Sequence, residues 1–174
     1  TVSELLEVGA KAGTDHFIVQ SVATTPKQVR SINEFIAASV ADAGNLTGLG
    51  TMHPECEDIE GEILHLKELG LKGIKIHPDI QGIDIDSPRM MELCEILEGR
   101  MPLYLHMGDD RPQYRFSEPK KLRRVLDMFP KLRVVAAHLG GYKAAEEALA
   151  YLAGHPNVWY DTSSALWYRS PEEA

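Results

Sequence analysis

Two histidines stand at the ends of short apolar runs, a placement that suits metal or acid–base chemistry. His106 ends the run Pro102-Leu-Tyr-Leu-His106, and His138 ends the run Leu132-Arg-Val-Val-Ala-Ala-His138. If these runs are neighbouring strands, the two imidazoles can share a metal ion or flank a substrate carbonyl. Zinc takes nitrogen, sulfur and carboxylate ligands and keeps one coordination position open in catalytic sites. The alternative is that both histidines only cap their strands.

Further polar residues follow the same layout. Lys75 and His77 share one face of the apolar run 72–77, and isoleucines occupy the other face. A lysine among isoleucines in a buried strand needs a partner or a wet cavity. Lys75 would neutralise a substrate carboxylate or orient a ligand; alternatively, it bridges an acidic neighbour in the core. Asp161 follows the last apolar run and either polarises a histidine or a water, or caps the next turn.

The segments that must position these residues alternate between strand and helix patterns. Strands are predicted at 16–22, 45–52, 72–77, 102–106, 132–138 and 157–161. Helices are predicted to begin near residues 3, 25, 59, 86, 117 and 142, and one more helix start is predicted at 170–173. Alternation of this kind predicts an α/β fold with a parallel sheet and right-handed crossovers.

Two architectures fit this alternation, a closed (β/α)8 barrel of the TIM type and an open doubly wound sheet. Polar residues within the buried strands, such as Lys75 and His106, favour the barrel, whose interior faces a site. No Gly-x-Gly-x-x-Gly motif follows the first strand, as a dinucleotide-binding sheet would require. We therefore predict one partial TIM-barrel domain over residues 1–174, without the first and last strands.

An incomplete barrel has two open edges. Unpaired backbone groups at those edges invite pairing with another chain. The absent segments or a partner, such as a second copy in a homo-oligomer, must then cover them. We expect that a lone six-strand piece is not a stable monomer.

The composition narrows the class of partner and the compartment. The 174 residues carry a formal net charge of -8 with no blocks of like charge, which argues against nucleic acid or an anionic membrane surface as a partner. A small-molecule substrate is expected instead. The sequence shows no secretory signal or membrane span, and its two cysteines, Cys56 and Cys94, have no ligand-like spacing. Free thiols in a reducing cytoplasm are therefore expected.

Four motifs together resemble one family. Gly73-Ile-Lys-Ile-His-Pro78, Leu105-His-Met-Gly-Asp109, Ala137-His-Leu-Gly-Gly141 and Tyr160-Asp-Thr-Ser163 are similar to strands four to seven of the amidohydrolase superfamily. The closer similarity is to its "amidohydrolase 2" branch, which contains metal-dependent hydrolases and aromatic-acid decarboxylases. The resemblance extends over nearly the whole chain, and its sharpest motifs lie in the second half.

The resemblance implies a role for each candidate residue. His106 matches the metal ligand of strand five, and His138 matches the strand-six histidine that manages a proton. Lys75 is assigned a catalytic role with His138, whereas the remaining three residues are assigned to substrate binding: His77, Asp109 and Asp161. The family's first strand carries a His-x-His pair and its eighth strand an aspartate, and neither is present here. We therefore expect this chain alone not to hold a catalytic metal tightly.

The implied activity is hydrolysis of a small molecule by metal-activated water, with zinc as the expected divalent ion. Two alternatives remain: non-oxidative decarboxylation of an aromatic or related acid, and an inactive or metal-free barrel fragment. Strand parity predicts that Lys75, His106 and His138 converge at the carboxyl mouth of the barrel. The same parity predicts an outward-facing set of apolar residues: Ile74, Ile76, Leu103, Leu105, Val135 and Ala137.

Overall fold

Short strands alternate with helices along the chain in the computed structural model, which describes residues 1–167 and 170. The strands are β1 Phe17–Val19, β2 Leu46–Gly48, β3 Gly50–Thr51, β4 Ile74–Ile76, β5 Leu103–Leu105, β6 Val134–Ala136 and β7 Val158–Tyr160. The helices are α1 Val2–Ala12, α2 Val29–Val40, α3 Ile59–Glu68, α4 Pro78–Gln81, α5 Pro88–Leu97, α6 Pro119–Met128 and α7 Ala145–Leu152. Single 3-10 turns lie at Pro26–Gln28, His138–Gly140 and Ala165–Trp167.

All strand pairs are parallel, as the alternation predicts. β1 pairs with β2, and β3 to β7 form a second sheet in sequence order. The predicted α/β class is thereby confirmed. The predicted helix start at 170–173 falls largely outside the described residues. Among the residues described, no helix has the length and apolarity needed to cross a membrane.

The segment predicted as one strand at 45–52 is divided in two. Its first half pairs with β1 and its second half with β4. The side chain of Asn33, fully buried on α2, explains the break, because its amide accepts from Thr51 N at 2.7 Å and donates to Thr51 O at 3.1 Å. A side chain thus takes the place of a neighbouring strand at Thr51.

The helices begin where the sequence places capping residues. Ser87 accepts a hydrogen bond from Met90 N at 3.4 Å ahead of Pro88, the first residue of α5. Asp58 caps α3 by accepting from Gly61 N at 2.8 Å. The apolar faces of these helices cover the outer face of the sheet and complete the core.

The register separates an outer from an inner face on β4 to β6. Six side chains face the helices and are at most 1% exposed: Ile74, Ile76, Leu103, Leu105, Val134 and Ala136. Lys75, Tyr104 and Val135 are aligned on the inner face. The predicted parity is confirmed for β4 and β5 and is wrong for β6, where Val134 and Ala136, not Val135 and Ala137, pack outward with the two leucines of β5.

The inner face is open at its two ends. Ile18 on β1 and Trp159 on β7 point away from the helices and are 56% and 50% exposed. Both belong to strands at a sheet edge, where the prediction places a missing strand. The expectation that this piece is unstable alone stays a prediction.

Candidate functional site

Three histidines from three consecutive strands meet at the carboxyl end of the sheet. His106 Nδ1 lies 3.0 Å from His138 Nε2, and their ring centroids are 4.8 Å apart. The ring of His77 stacks on that of His106, with centroids 3.7 Å apart and planes 12° from parallel. The convergence predicted for Lys75, His106 and His138 is confirmed for the two histidines, and His77 joins them.

Burial keeps two of these rings neutral. Burial lowers the pKa of His106 to about 3, and the neighbouring His77, His138 and Lys75 charges act in the same direction. Burial likewise lowers the pKa of His77 to about 4, assisted by Lys75 and His138. Neutral imidazoles have a free lone pair, so His77 and His106 are ready to bind a cation at neutral pH.

His138 reaches the site through a backbone reversal, although the parity of β6 would point it outward. The strand ends at Ala136, and His138 and Leu139 then adopt left-handed conformations with φ of 59° and 55°. Such conformations cost roughly 1–3 kcal/mol for each non-glycine residue and persist only where neighbours hold them. Leu139 N donates to Asp161 O at 2.8 Å, and His138 N donates to Asp161 Oδ1 at 2.9 Å.

Asp161 lies beneath His138 with both carboxylate oxygens engaged. Oδ1 accepts from His138 N, Ser163 N and Ser163 Oγ, and Oδ2 accepts from the Tyr104 hydroxyl. Burial raises the pKa of the Asp161 carboxyl, but the hydrogen bonds from Ser163, Tyr104 and His138 outweigh it and lower the net pKa. Asp161 is therefore an anion whose acceptor capacity is used within the protein.

Lys75 lies on the inner face below the histidines and is 7% exposed. Its Nζ sits 4.6 Å from the centroid of the Tyr104 ring. Burial lowers the pKa of Lys75 to about 8, against the opposing pull of the Asp161 charge. Within the described part of the chain, no carboxylate lies within 4.0 Å of this ammonium, so the alternative of a direct bridge to an acidic neighbour is not observed.

A row of contacts runs through the two central histidines. His106 Nε2 lies 3.1 Å from Gly108 O, and His138 Nδ1 lies 2.7 Å from Ser163 O. Carbonyl oxygens only accept, so these two contacts and the His106–His138 contact need three ring protons. Two neutral imidazoles carry two. One nitrogen in the row is therefore left facing an acceptor unless a further proton or a cation is present.

A cavity of about 570 Å³ opens above the histidines. One aliphatic residue and ten aromatic or polar residues line it: Ile80, His77, Asp79, His106, Asp109, Arg111, Tyr114, His138, Tyr142, Ser164 and Trp167. Asp109 pairs with Arg111 at 2.6 Å, and that guanidinium stacks over Tyr114 at 4.1 Å. Of the predicted substrate-binding residues, His77 and Asp109 reach this cavity, whereas Asp161 is not among its lining residues. Their roles stay predictions.

Gly108 lets two loops of the site pass closely. Its φ is 72°, and a Cβ built on it would lie 2.7 Å from Tyr142 N. The adjacent Met107 O accepts from Tyr142 N at 2.7 Å, and Gly108 N donates to Ser117 O at 3.0 Å. The loop after β5 is thus fixed by backbone contacts on both sides.

The sequence profile of the amidohydrolase family matches residues 4–174. The chain belongs to the amidohydrolase family. This confirms the resemblance drawn from the four motifs. No curated protein matches the sequence.

Solved structures confirm that this chain has the fold of part of a TIM barrel. An uncharacterized TIM-barrel protein from Bordetella bronchiseptica is 18% identical with a TM-score of 0.73, covering 93% of this chain and 59% of that one. An amidohydrolase from Burkholderia multivorans with bound HEPES is 12% identical with a TM-score of 0.68, covering 92% and 58%.

A third similar structure carries a metal. It is 5-carboxyvanillate decarboxylase from Novosphingobium aromaticivorans with bound manganese and 3-methoxy-4-hydroxy-5-nitrobenzoic acid, 22% identical with a TM-score of 0.66. The match covers 85% of this chain and 51% of that one. The chain thus spans between half and three-fifths of the length of these three structures, in keeping with a partial barrel.

Asp79 is a potential ligand that the sequence analysis missed. One donor atom each from His77, Asp79 and His106 lie within 4.8 Å of one another, the one group among the described residues that could hold a metal ion. Two ligands of one ion at about 2.1 Å can be roughly 4.2 Å apart at most, so a small contraction would suffice. Asp79 is 4% exposed and accepts from Phe116 N at 3.1 Å and from the Ser117 hydroxyl. The sequence feature that could have identified it is the position of Asp79, an acidic residue two positions after His77 at the end of a strand.

A second cavity of about 780 Å³ lies away from the histidines, between the amino ends of α2 and α3. Two of its charged residues, Arg30 and Glu62, form an ion pair at 2.7 Å. It contains no histidine. Size alone therefore does not identify the site, and we assign function to the histidine cavity.

Proposed function

We propose that this protein is a metal-dependent hydrolase that acts on a small molecule in the histidine cavity. The observation that carries the proposal is the row of three contacts through His106 and His138. These contacts need three protons, and the two neutral rings supply only two, so the row lacks one proton or cation. A cation on His106 Nε2 would complete that row, and His77 and Asp79 offer further donors nearby. The residues therefore fit a divalent cation.

The proposed roles follow from the geometry. His106, with His77 and Asp79, would hold the cation. When bound, a divalent cation lowers the pKa of water to about 7 and polarises the scissile bond. His138 would accept a proton at Nε2 once this nitrogen is released from its contact with His106 Nδ1. Lys75, buried on the inner face beside Tyr104, would balance the negative charge of a substrate or of the Asp161 network.

The nature of the cation is part of the proposal. Imidazole and carboxylate donors suit zinc as well as manganese. The similar decarboxylase structure contains manganese, whereas none of the three structures described above supports the expected zinc by its bound groups. We therefore propose a divalent cation without preferring zinc.

Cation binding by the native protein tests this function. After treatment with EDTA, titration with Mn²⁺ and with Zn²⁺ should reveal one site per native protein chain. The expectation that residues 1–174 alone do not hold a catalytic metal tightly stays a prediction. Substituting His106→Ala should weaken cation affinity by roughly 100-fold or more. Residues that only hydrogen-bond to a metal ligand already change metal affinity by about 10- to 100-fold when they are replaced. His16→Ala, at the amino end of β1, is the matched control and should not weaken it. A native protein that binds neither ion would contradict the proposed function and support the alternative of an inactive or metal-free barrel.

Decarboxylation of an aromatic acid is the second candidate. Tyr114, Tyr142 and Trp167 line the cavity together with Arg111, a combination that suits a flat substrate with a carboxylate. The similarity to 5-carboxyvanillate decarboxylase also favours it. Products formed from a panel of carboxylic acids, esters and amides would separate the two activities, because one releases CO₂ and the other adds water.

The compartment and the assembly remain proposals as well. Cys56 and Cys94 are both free and buried, which suits a reducing cytoplasm. The open inner face at Ile18 and Trp159 suits either further strands of the same protein or a homo-oligomer. Sedimentation of the native protein would distinguish a monomer from an oligomer.

A further inference from the structure

The turn that carries His138 is held by one residue of the neighbouring strand end. His138 and Leu139 are consecutive non-glycine residues in left-handed conformations. Both of their amides donate to Asp161, one to its carboxylate at 2.9 Å and the other to its carbonyl at 2.8 Å. Without these acceptors, nothing else among the described contacts binds the two amides in this conformation.

The same carboxylate oxygen also holds the residue that contacts the ring. Asp161 Oδ1 accepts from Ser163 N at 2.9 Å, while Ser163 O lies 2.7 Å from His138 Nδ1. The oxygen therefore bridges the backbone of the histidine and the backbone of its ring partner. Because a carbonyl can only accept, a proton on His138 Nδ1 satisfies this contact and leaves the Nε2 lone pair facing His106.

The serine hydroxyl reinforces this orientation. Ser163 Oγ donates to Asp161 Oδ1 at 2.6 Å, so its oxygen can accept from His138 Nδ1 at 3.0 Å. On the other side, the Tyr104 hydroxyl donates to Asp161 Oδ2 and fixes the carboxylate against β5. Both oxygens of Asp161 are thus occupied, which argues against direct substrate binding.

We propose that Asp161 is a positioning residue that fixes the backbone turn and the ring tautomer of His138, with Tyr104 holding the carboxylate in place. The proposal deepens the proposed function, since it concerns the residue assigned to accept the proton. It differs from a role for Asp161 as a charge that stabilises a protonated histidine. In the positioning role, the acceptor geometry matters and the negative charge does not.

Two substitutions separate these roles. Asp161→Ala removes the carboxylate oxygen that accepts from His138 N and Ser163 N. Asp161→Asn retains an amide oxygen for these two N–H groups and turns its NH₂ toward the hydroxyl oxygen of Tyr104. Long-range ¹H–¹⁵N spectra of the EDTA-treated native protein report the His138 tautomer without any substrate. We expect an excess of the Nδ1–H form of roughly tenfold in the native protein, lost in Asp161→Ala and recovered in Asp161→Asn.

Thr162→Ala is the matched control, because it changes an exposed side chain between Asp161 and Ser163 and should retain the tautomer. A tautomer ratio that is unchanged in Asp161→Ala, or lost equally in both Asp161 variants, would overturn the proposal. If the alanine variant does not fold, the asparagine variant still decides, because a charge role predicts loss of the preference there. Failure of cation binding with the tautomer effect intact would refute the proposed function and leave this inference standing.

Discussion

The two faces of β4 to β6 differ in the chemistry of the side chains that they carry. The outer face carries only aliphatic side chains, and each of the six is at most 1% exposed against the helices. The inner face carries Lys75, Tyr104 and Val135 and leads to the histidines at the strand ends. Adjacent residues of the same three-residue strand therefore meet entirely different surroundings.

The difference teaches that strand alternation separates stability from chemistry. Apolar burial on the outer face supplies the free energy of folding, whereas the inner face accepts buried polar groups that cost stability. Outer substitutions should therefore change the free energy of unfolding and leave cation binding alone. Inner substitutions should do the reverse, and the following experiments measure how strictly this holds.

The largest effect is expected at His138. His138→Ala should lower kcat/KM by about 10³-fold, near 4 kcal/mol of transition-state stabilisation, because it removes the proposed proton acceptor. The rate is measured with whichever acid, ester or amide of the panel the native protein converts. His16→Ala serves as the control and should retain the rate. Loss of folding stability in step with the rate would show that the inner face is structural as well.

On the outer face, Leu103→Ala should lower the free energy of unfolding by about 3 kcal/mol, because a fully buried leucine leaves a cavity. Urea denaturation of the native protein measures the change. Leu64→Ala on α3, where the side chain is 58% exposed, is the control and should cost under about 0.5 kcal/mol. The native protein and the two variants should bind Mn²⁺ with equal affinity. Weaker binding by Leu103→Ala would contradict the separation of folding stability from cation binding.

Neighbouring residues of β6 test the corrected parity. Ala136→Leu should destabilise by about 2 kcal/mol, because Ala136 is fully buried between the sheet and the helices. Val135→Leu, on the half-buried inner face, should cost roughly 0.5 kcal/mol or less. Thermal unfolding of both variants gives the comparison. A larger loss of stability in Val135→Leu than in Ala136→Leu would support the parity predicted from the sequence, in which Val135 faces the helices.

An effect that is smallest at neutral pH and grows only in alkali concerns Cys94, which is fully buried on α5 in the outer layer. Burial raises the pKa of this thiol to about 12 from an ordinary value of 9.0. Above pH 9 the unfolded chain therefore releases a proton that the folded chain retains, and the free energy of unfolding falls with pH by about 1 kcal/mol per unit. Cys94→Ala should remove this part of the slope between pH 9 and 11. Equal slopes in denaturation series of both proteins would contradict it.

The sequence was sufficient wherever local chemistry decides the structure. Pro88 and Ser87 mark a helix start, and the alternation of lysine and isoleucine at Lys75 assigns the faces of β4. The adjacency of β5 and β6 also followed, because consecutive parallel strands joined by a helix lie side by side. These features depend on residues near one another in the chain. The inward direction of His138 did not follow, since the parity from which it was predicted is wrong for β6.

Three features depended on distant contacts and escaped prediction. The reversal at His138 requires Asp161 as an acceptor, and no local residue in the turn announces a left-handed conformation before Gly140. The break between β2 and β3 requires the amide of Asn33, 18 residues away from Thr51. Asp79 follows a His-Pro pair that indicates only a turn. In each case, a polar side chain satisfies backbone or hydroxyl groups of a segment remote in sequence.

Gly108 has a consequence for inheritance. Its positive φ and the 2.7 Å approach of Tyr142 N together exclude every side chain, alanine included. Every single-nucleotide change that replaces this glycine by another amino acid introduces a side chain. No such replacement at position 108 is therefore expected to be neutral for the structure. We therefore expect position 108 to change more slowly in evolution than exposed positions of the same loop, such as Gln113.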